Sequence, residues 1–184
     1  MTNVSTNECQ PEARIEVVEY DPSWPAKFEI ERALLEAALA PWLVGRIEHI
    51  GSTAVPNLAA KPVIDIMAPV RTLEESRSAI TAATRVGYVY YPYKAQVMHW
   101  FCKPSASHRT HHLHLVPFDS PLWHERLKFR DALRQNAVLA SEYAALKKRL
   151  AEKFATDREA YTEAKEPFIR RVLSEATAVQ KDAT

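Results

Sequence analysis

The segment 63–70 reads Val-Ile-Asp-Ile-Met-Ala-Pro-Val, apolar nearly throughout with one carboxylate, Asp65, set inside it. An apolar run of this length predicts a strand covered on both faces. A carboxylate in such a strand is costly unless a cation or several hydrogen-bond donors meet it. Any fold this chain adopts must therefore bring a partner to Asp65: a metal ion, a lysine or a set of donors. A second constraint lies just upstream in His49-Ile50-Gly51-Ser52-Thr53, which holds one of only three glycines set against twelve prolines. Small residues let backbone N–H groups approach phosphate oxygens, and a strand-borne acid holds a divalent ion rigidly. The layout suits a polyphosphate with its metal, although ordinary strand–turn–strand units also contain it.

Around this centre the sequence predicts an α+β domain. Residues 14–20 alternate as a strand, with Ile15 and Val17 on one face. Ser23 stands as N-cap before Pro25, and Trp24, Phe28, Leu35 and Leu39 recur at helical spacing until Pro41 ends the helix. Residues 43–50 then read as a strand into the Gly-Ser turn. A helix over 73–86 closes at Gly87, where a left-handed residue is wanted. Two paired strands at 88–91 and 96–103 follow, joined by a short turn around Pro92, and a polar loop at 104–108 leads to a strand over 109–117.

From Ser120 the pattern becomes helical. Ser120-Pro121 is a cap followed by proline at the first helical position. Leu139, Tyr143, Leu146, Leu150 and Phe154 mark an amphipathic helix beginning near Asn136. Thr156-Asp-Arg-Glu159 matches a capping box for a last helix carrying Tyr161, Phe168 and Val172, broken before Pro167. The expected organisation is a disordered leader over 1–13, one domain over 14–176 and a frayed tail over 177–184.

Composition narrows the function. Formal net charge is +1, which provides no basic field for nonspecific nucleic-acid binding. No apolar run approaches the roughly 20 residues of a membrane span. The two cysteines, Cys9 and Cys102, are too few for a disulfide framework and form no CxxC pair, so a reduced, cytoplasmic location is expected.

Histidines concentrate at His108, His111, His112 and His114. On a strand, His112 and His114 share a face with Val116, while Leu113 and Leu115 take the other. With the leucines in the core, the two imidazoles turn toward the opposite face. There they can bind one metal ion, contact a phosphate when protonated, or form a hydrogen-bonded strand surface. Lys61, before Pro62, and Arg109, at the head of the histidine strand, are candidate phosphate contacts. Lys128, Arg130, Lys147 and Lys165 lie on the helices, with Tyr143 and Tyr161 near in sequence, and read first as surface charges.

The chain resembles the GrpB family of the nucleotidyltransferase superfamily over about residues 14–176. The resemblance rests on Tyr20-Asp-Pro-Ser-Trp-Pro25, Glu48-His-Ile-Gly-Ser-Thr-Ala-Val-Pro56, Lys61-Pro-Val-Ile-Asp-Ile66 and Arg109-Thr-His-His-Leu-His114. It extends through Phe129-Arg-Asp131, Glu142-Tyr-Ala-Ala-Leu-Lys147 and the segment 157–165. Similar sequence occurs in the C-terminal part of some dephospho-CoA kinases, although this chain has no GxxxxGK[ST] loop. The resemblance implies a nucleotidyltransferase-like mixed sheet with flanking helices and a C-terminal helical hairpin.

The resemblance further implies Gly51, Ser52, Thr53, Lys61 and Arg109 as nucleotide or phosphate contacts. Asp65, His112 and His114 become catalytic or metal-binding residues, and the cofactor is a divalent ion, Mg²⁺ or Mn²⁺ ahead of Zn²⁺. The superfamily places acid-x-acid on the second strand to hold two ions. Here position 67 is Met, so the second acid is missing, and His112 and His114 stand where a later acid is expected. Asn57 occupies a position where glycine is usual, and asparagine tolerates positive φ.

Three functions follow as alternatives. One is metal-dependent transfer of a nucleotidyl group to a small acceptor. Another is a non-catalytic module binding a nucleotide or coenzyme A precursor, favoured by Met67. The third is a partner-binding scaffold, preferred only if Asp65, His112 and His114 fail to converge.

Overall fold

The computed structural model describes the backbone of residues 14–182 and the side chains through residue 176. The expected leader over 1–13 lies outside the described residues. Strand β2 (Ile64–Val70) is flanked by an antiparallel β1 (Glu48–Ile50) and a parallel β5 (Arg109–Pro117). The antiparallel strands β4 (His99–Pro104) and β3 (Val89–Tyr91) complete a five-stranded mixed sheet in the order β1-β2-β5-β4-β3. Neighbours therefore cover both edges of β2, and helices cover both of its faces, as its apolar sequence requires.

The alternation of side chains divides the core in two. Ile64, Ile66, Ala68, Phe101, Leu113 and Leu115 pack with helices α1 (Trp24–Leu39) and α2 (Arg77–Arg85). Ile50, Met67, Trp100, Cys102 and Val116 face the opposite side, where Trp123 of α3 (Pro121–Gln135) joins them. On β5, His112 and His114 fall on this second side, as the alternation predicts.

Helices α3, α4 (Ala137–Lys153), α5 (Arg158–Glu163) and α6 (Glu166–Asp182) follow in the order expected. Ser120 caps α3 by accepting from Trp123 N at 3.4 Å, and Asn136 caps α4 by accepting from Leu139 N at 3.0 Å. Tyr143 links three helices, with ring centroids 5.2 Å from Phe129 and 5.0 Å from Phe168. α6 reaches Asp182, so its backbone stays helical beyond Ala176, where fraying is expected.

Several local expectations are corrected. Residues 14–20 form only one bridge, Val18 to Ala60, because Ile15 N donates instead to Ala155 O at 2.7 Å and the segment divides between two partners. The strand expected over 43–50 shrinks to β1 plus a bridge from Leu43 to Val70. Pro69 lies between, and it has no N–H to extend the ladder. The helix expected from 73 starts at Arg77, because Thr72 and Ser76 side chains bond the backbone of the preceding turn. Residues 92–98 are a longer turn than expected, with Val97 N and Met98 N both donating to Lys94 O.

The cap of Ser23 is supplied differently: its own side chain makes no cap bond, while Asp21 Oδ1 accepts from Ser23 N at 2.8 Å. Asp157, one residue beyond Thr156, caps α5 by accepting from Ala160 N at 2.9 Å.

One buried guanidinium fixes α3 against the sheet. Arg130 Nη1 donates to Glu48 Oε2 at 2.7 Å and to His49 O at 3.1 Å, while Nε and Nη2 pair with the Asp131 carboxylate. Arg134 Nε adds a bond to Ala54 O at 2.9 Å. Arg130 is thus a structural clamp. Arg130→Ala removes the donor from a buried backbone carbonyl, and is expected to lower unfolding free energy by about 2–3 kcal/mol. A urea titration should show a reduced midpoint with an unchanged slope. A loss below about 0.5 kcal/mol would contradict the clamp.

Candidate functional site

The candidate site is built on the sheet face opposite α1 and α2. Parallel pairing sets Asp65 beside His112 and Met67 beside His114, while antiparallel pairing sets Ile50 beside Asp65. His112 Nδ1 lies 2.9 Å from Asp65 Oδ1, and His114 Nε2 lies 3.9 Å from the same oxygen. An ionised carboxylate only accepts, so His112 Nδ1–H donates and a neutral ring leaves its Nε2 lone pair unshared. Burial opposes ionisation of Asp65, but the hydrogen bond from His112 and the nearby His114 imidazole outweigh it and hold the carboxyl well below its usual range. For His114, burial pushes the imidazole toward its neutral form.

Gly51 makes this placement feasible. Its backbone has φ +70° and ψ −172°, a region open essentially to glycine alone. A Cβ at this position would stand 2.3 Å from Asp65 Oδ2 and 2.9 Å from Asp65 Cβ. Thr53 supports the turn from below, because its hydroxyl donates to Val63 O at 3.1 Å and accepts from His49 Nε2 at 3.0 Å. His49 stacks on Phe28 at 4.6 Å, and burial lowers its pKa to about 4, so the ring is neutral near pH 7. The Thr53 hydroxyl is thus committed to the protein itself.

All eight residues expected at the site line one cavity of about 510 Å³: Gly51, Ser52, Thr53, Lys61, Asp65, Arg109, His112 and His114. One ligand atom from each of Asp65, His112 and His114 lies within 4.8 Å of the others. Among the described residues, neither His112 Nε2 nor His114 Nε2, both buried, has a hydrogen-bond partner. A carboxylate and two imidazoles with unsatisfied nitrogens fit a divalent ion, and the nitrogen donors suit Mn²⁺ or Zn²⁺ better than Mg²⁺. Convergence of the three residues removes the condition for preferring a scaffold.

The helices contribute residues that the sequence reading underweighted. Arg126, Lys147, Arg158 and Lys165 line the cavity together with Lys61 and Arg109. Lys147 donates to Ala59 O and lies 4.8 Å from the Tyr143 ring centroid; burial lowers its pKa to about 7. Lys165 lies 4.2 Å from the Tyr161 ring centroid, with its pKa lowered by burial to about 8. The helical spacing that places Tyr143 in the core also places Lys147 one turn further along the same stripe, which is the signal available in sequence. Arg126 and Arg158 carry no such signal. A larger cavity of about 870 Å³ lies elsewhere, between α1 and the α3–α4 pair; His49 lines it, but His112 and His114 do not.

The GrpB family model, described as "GrpB protein", matches residues 14–175. The chain belongs to the GrpB family. It is 37% identical over 172 residues to a UPF0157 protein of Pseudomonas aeruginosa, covering 91% of this chain and 70% of that one. It is 32% identical over 164 residues to the glutamate-rich protein GrpB of Alkalihalophilus pseudofirmus, covering 86% of this chain and 94% of that one. The crystal structure of GrpB from Enterococcus faecalis superimposes with a TM-score of 0.79 at 36% identity, covering 88% of this chain and 96% of that chain. A weaker likeness, 27% identity, joins 91% of this chain to 47% of a dephospho-CoA kinase of Mycolicibacterium paratuberculosis. The GrpB-family fold thus carries the expected α+β architecture, including positive φ at Asn57, which is +62°.

The tight seat of Asp65 under Gly51 gives a direct test. Gly51→Ala is expected to cost about 2 kcal/mol or more in unfolding free energy, from backbone strain plus overlap with the carboxylate. Adding Asp65→Ala should restore part of that loss, because the atom at 2.3 Å is gone. Strictly additive losses in a double-mutant cycle would contradict the close approach.

Proposed function

We propose that this chain binds a nucleoside triphosphate with a divalent cation and transfers a nucleotidyl group to a small acceptor. The observation that supports this reading best is the convergence of Asp65, His112 and His114 at a cavity walled by six cationic side chains. Three acids, Asp65, Glu159 and Glu163, share that wall, so the cationic side chains outnumber the acidic ones. The excess suits a polyanionic ligand. Asp65, His112 and His114 would hold the cation, which would supply positive charge to polarise a phosphoryl oxygen and offset the charge of the departing pyrophosphate. Arg109, Lys61 and Lys165 would orient the phosphates, and the Gly51-Ser52 turn would receive the chain end nearest Asp65. A cytoplasmic setting, where nucleotides are plentiful, belongs to the same reading.

A second reading has its own support. Met67 is fully buried among Ile50, Met98 and Trp100, so this side of the sheet is apolar where a second acid would stand. A site holding one ion can bind a nucleotide or coenzyme A precursor without transferring anything. The two readings share the pocket and differ in whether product forms.

Calorimetric titration of ATP with Mn²⁺ present is expected to show saturable binding that Asp65→Ala weakens at least about tenfold. Unchanged affinity for both nucleotide and metal in that variant would remove Asp65 from the site. Without metal, ATP affinity should fall between about pH 7.5 and about pH 9, as Lys165 loses its proton near Asp65, Lys61 and Arg126. Lys165→Arg should flatten that slope; an identical slope would separate Lys165 from the ligand. Release of pyrophosphate on adding an acceptor mixture decides between transferase and binding module.

A further inference from the structure

The sheet face beneath the cavity is graded from one end to the other. The pairing registers align Tyr91, Trp100, His114 and Met67 in one cross-strand row. The neighbouring row runs from Val89 through Cys102 and His112 to Asp65 and Ile50. Aromatic rings therefore occupy the β3–β4 end, imidazoles the middle, and the carboxylate with the Gly-Ser turn the β1 end. Tyr91 and Tyr93 both pack on Trp100, at centroid distances of 5.8 Å and 6.0 Å, and Trp100 lies 5.1 Å from His112. Arg109 covers Trp100 at 5.3 Å, so a cation stands at the junction between the aromatic end and the phosphate end.

Tyr91, Tyr93, Met98 and Trp100 all line the same cavity as Asp65 and Lys165. Tyr93 is 47% exposed where it lines the cavity, with Lys94 Nζ 5.5 Å from its ring centroid, so ring surface is open to an occupant. Burial pushes the Cys102 thiol up, and the side chain is fully buried, so the adjacent row offers no reactive sulfur. Stacking and polarisable sulfur contacts are the chemistry this end provides. At about 510 Å³ the cavity falls within the roughly 300–1,000 Å³ range of small-molecule sites, large enough for a ring and a phosphate chain together.

We infer that the exposed ring of Tyr93, backed by Tyr91 and Trp100, forms a stacking subsite for the planar heteroaromatic ring of the ligand, with the phosphates directed toward Asp65 and the helix-borne cations. This inference rests on the reading of the pocket as a nucleotide site and adds the ligand's orientation within it. Stacking uses the face that every base presents, so the subsite accepts planar rings without selecting one base. Purines, with larger faces, bind tighter than pyrimidines.

The test compares ATP with inorganic tripolyphosphate, each titrated with Mn²⁺ into the parent protein, Tyr93→Ala and Tyr93→Phe. Tyr93 is exposed, so its replacement leaves the fold intact, and circular dichroism checks this. The expected result is that Tyr93→Ala weakens ATP about tenfold and leaves tripolyphosphate unchanged, while Tyr93→Phe retains parental affinity for both. Equal effects of Tyr93→Ala on the two ligands, or none on ATP, would overturn the stacking subsite. If the parent binds tripolyphosphate as tightly as ATP, the subsite falls while the phosphate site stands. If the parent binds neither, the nucleotide reading itself falls and takes the inference with it.

Discussion

The Asp65 carboxylate stands in an apolar strand, held by two imidazoles and approached so closely by Gly51 that no side chain fits between them. The surrounding architecture serves that placement. A parallel β2–β5 pair puts His112 directly opposite Asp65, and the antiparallel β1–β2 pair brings the chain out of β1 into the turn at Gly51. The cost of burying a charge is offset by the hydrogen bond from His112 and the nearby imidazole of His114. Two nitrogens of the same rings remain buried and unsatisfied. Such atoms are tolerated where a ligand completes them.

The helical half is more than a cover. Arg130 ties α3 to Glu48 and His49, and thereby fixes the strand that leads into Gly51. Lys147 reaches from α4 to Ala59 O, in the segment that leads toward β2, and so joins the helices to the same connection from the other side. These basic groups separate by role. Arg130 is consumed by structure, whereas Lys165 lines the cavity with its charge made less secure by burial. A ligand phosphate would add to the negative charge that Asp65 alone now offers Lys165.

Much of the fold was legible because its periodicities are strong. The β5 alternation of His112 and His114 against Leu113 and Leu115 carried directly into the structure, as did the apolar stripe of α4. Short elements were less legible. Residues 14–20 alternate like a strand but divide between a bridge to Ala60 and a bond to Ala155, and Pro69 interrupts the ladder that 43–50 would otherwise extend. Pairing is a tertiary property that alternation alone does not specify. The site was legible as far as strands and turns carry it. Arg126 and Arg158 reach the cavity from α3 and α5, and their approach depends on helix packing rather than on any local pattern. The aromatic end was missed for a similar reason, since Tyr91 and Trp100 meet only through the β3–β4 register.

The proposed function turns on Asp65, His112 and His114 together holding a metal ion. Pulsed electron paramagnetic resonance of Mn²⁺ bound to the purified protein measures this directly, because imidazole nitrogens imprint a coupling that carboxylates and water do not. Nitrogen coupling from His112 and His114 is expected, and it should disappear when both are replaced by alanine. A Mn²⁺ signal indistinguishable from the hydrated ion, or a bound ion with no nitrogen coupling, would contradict it.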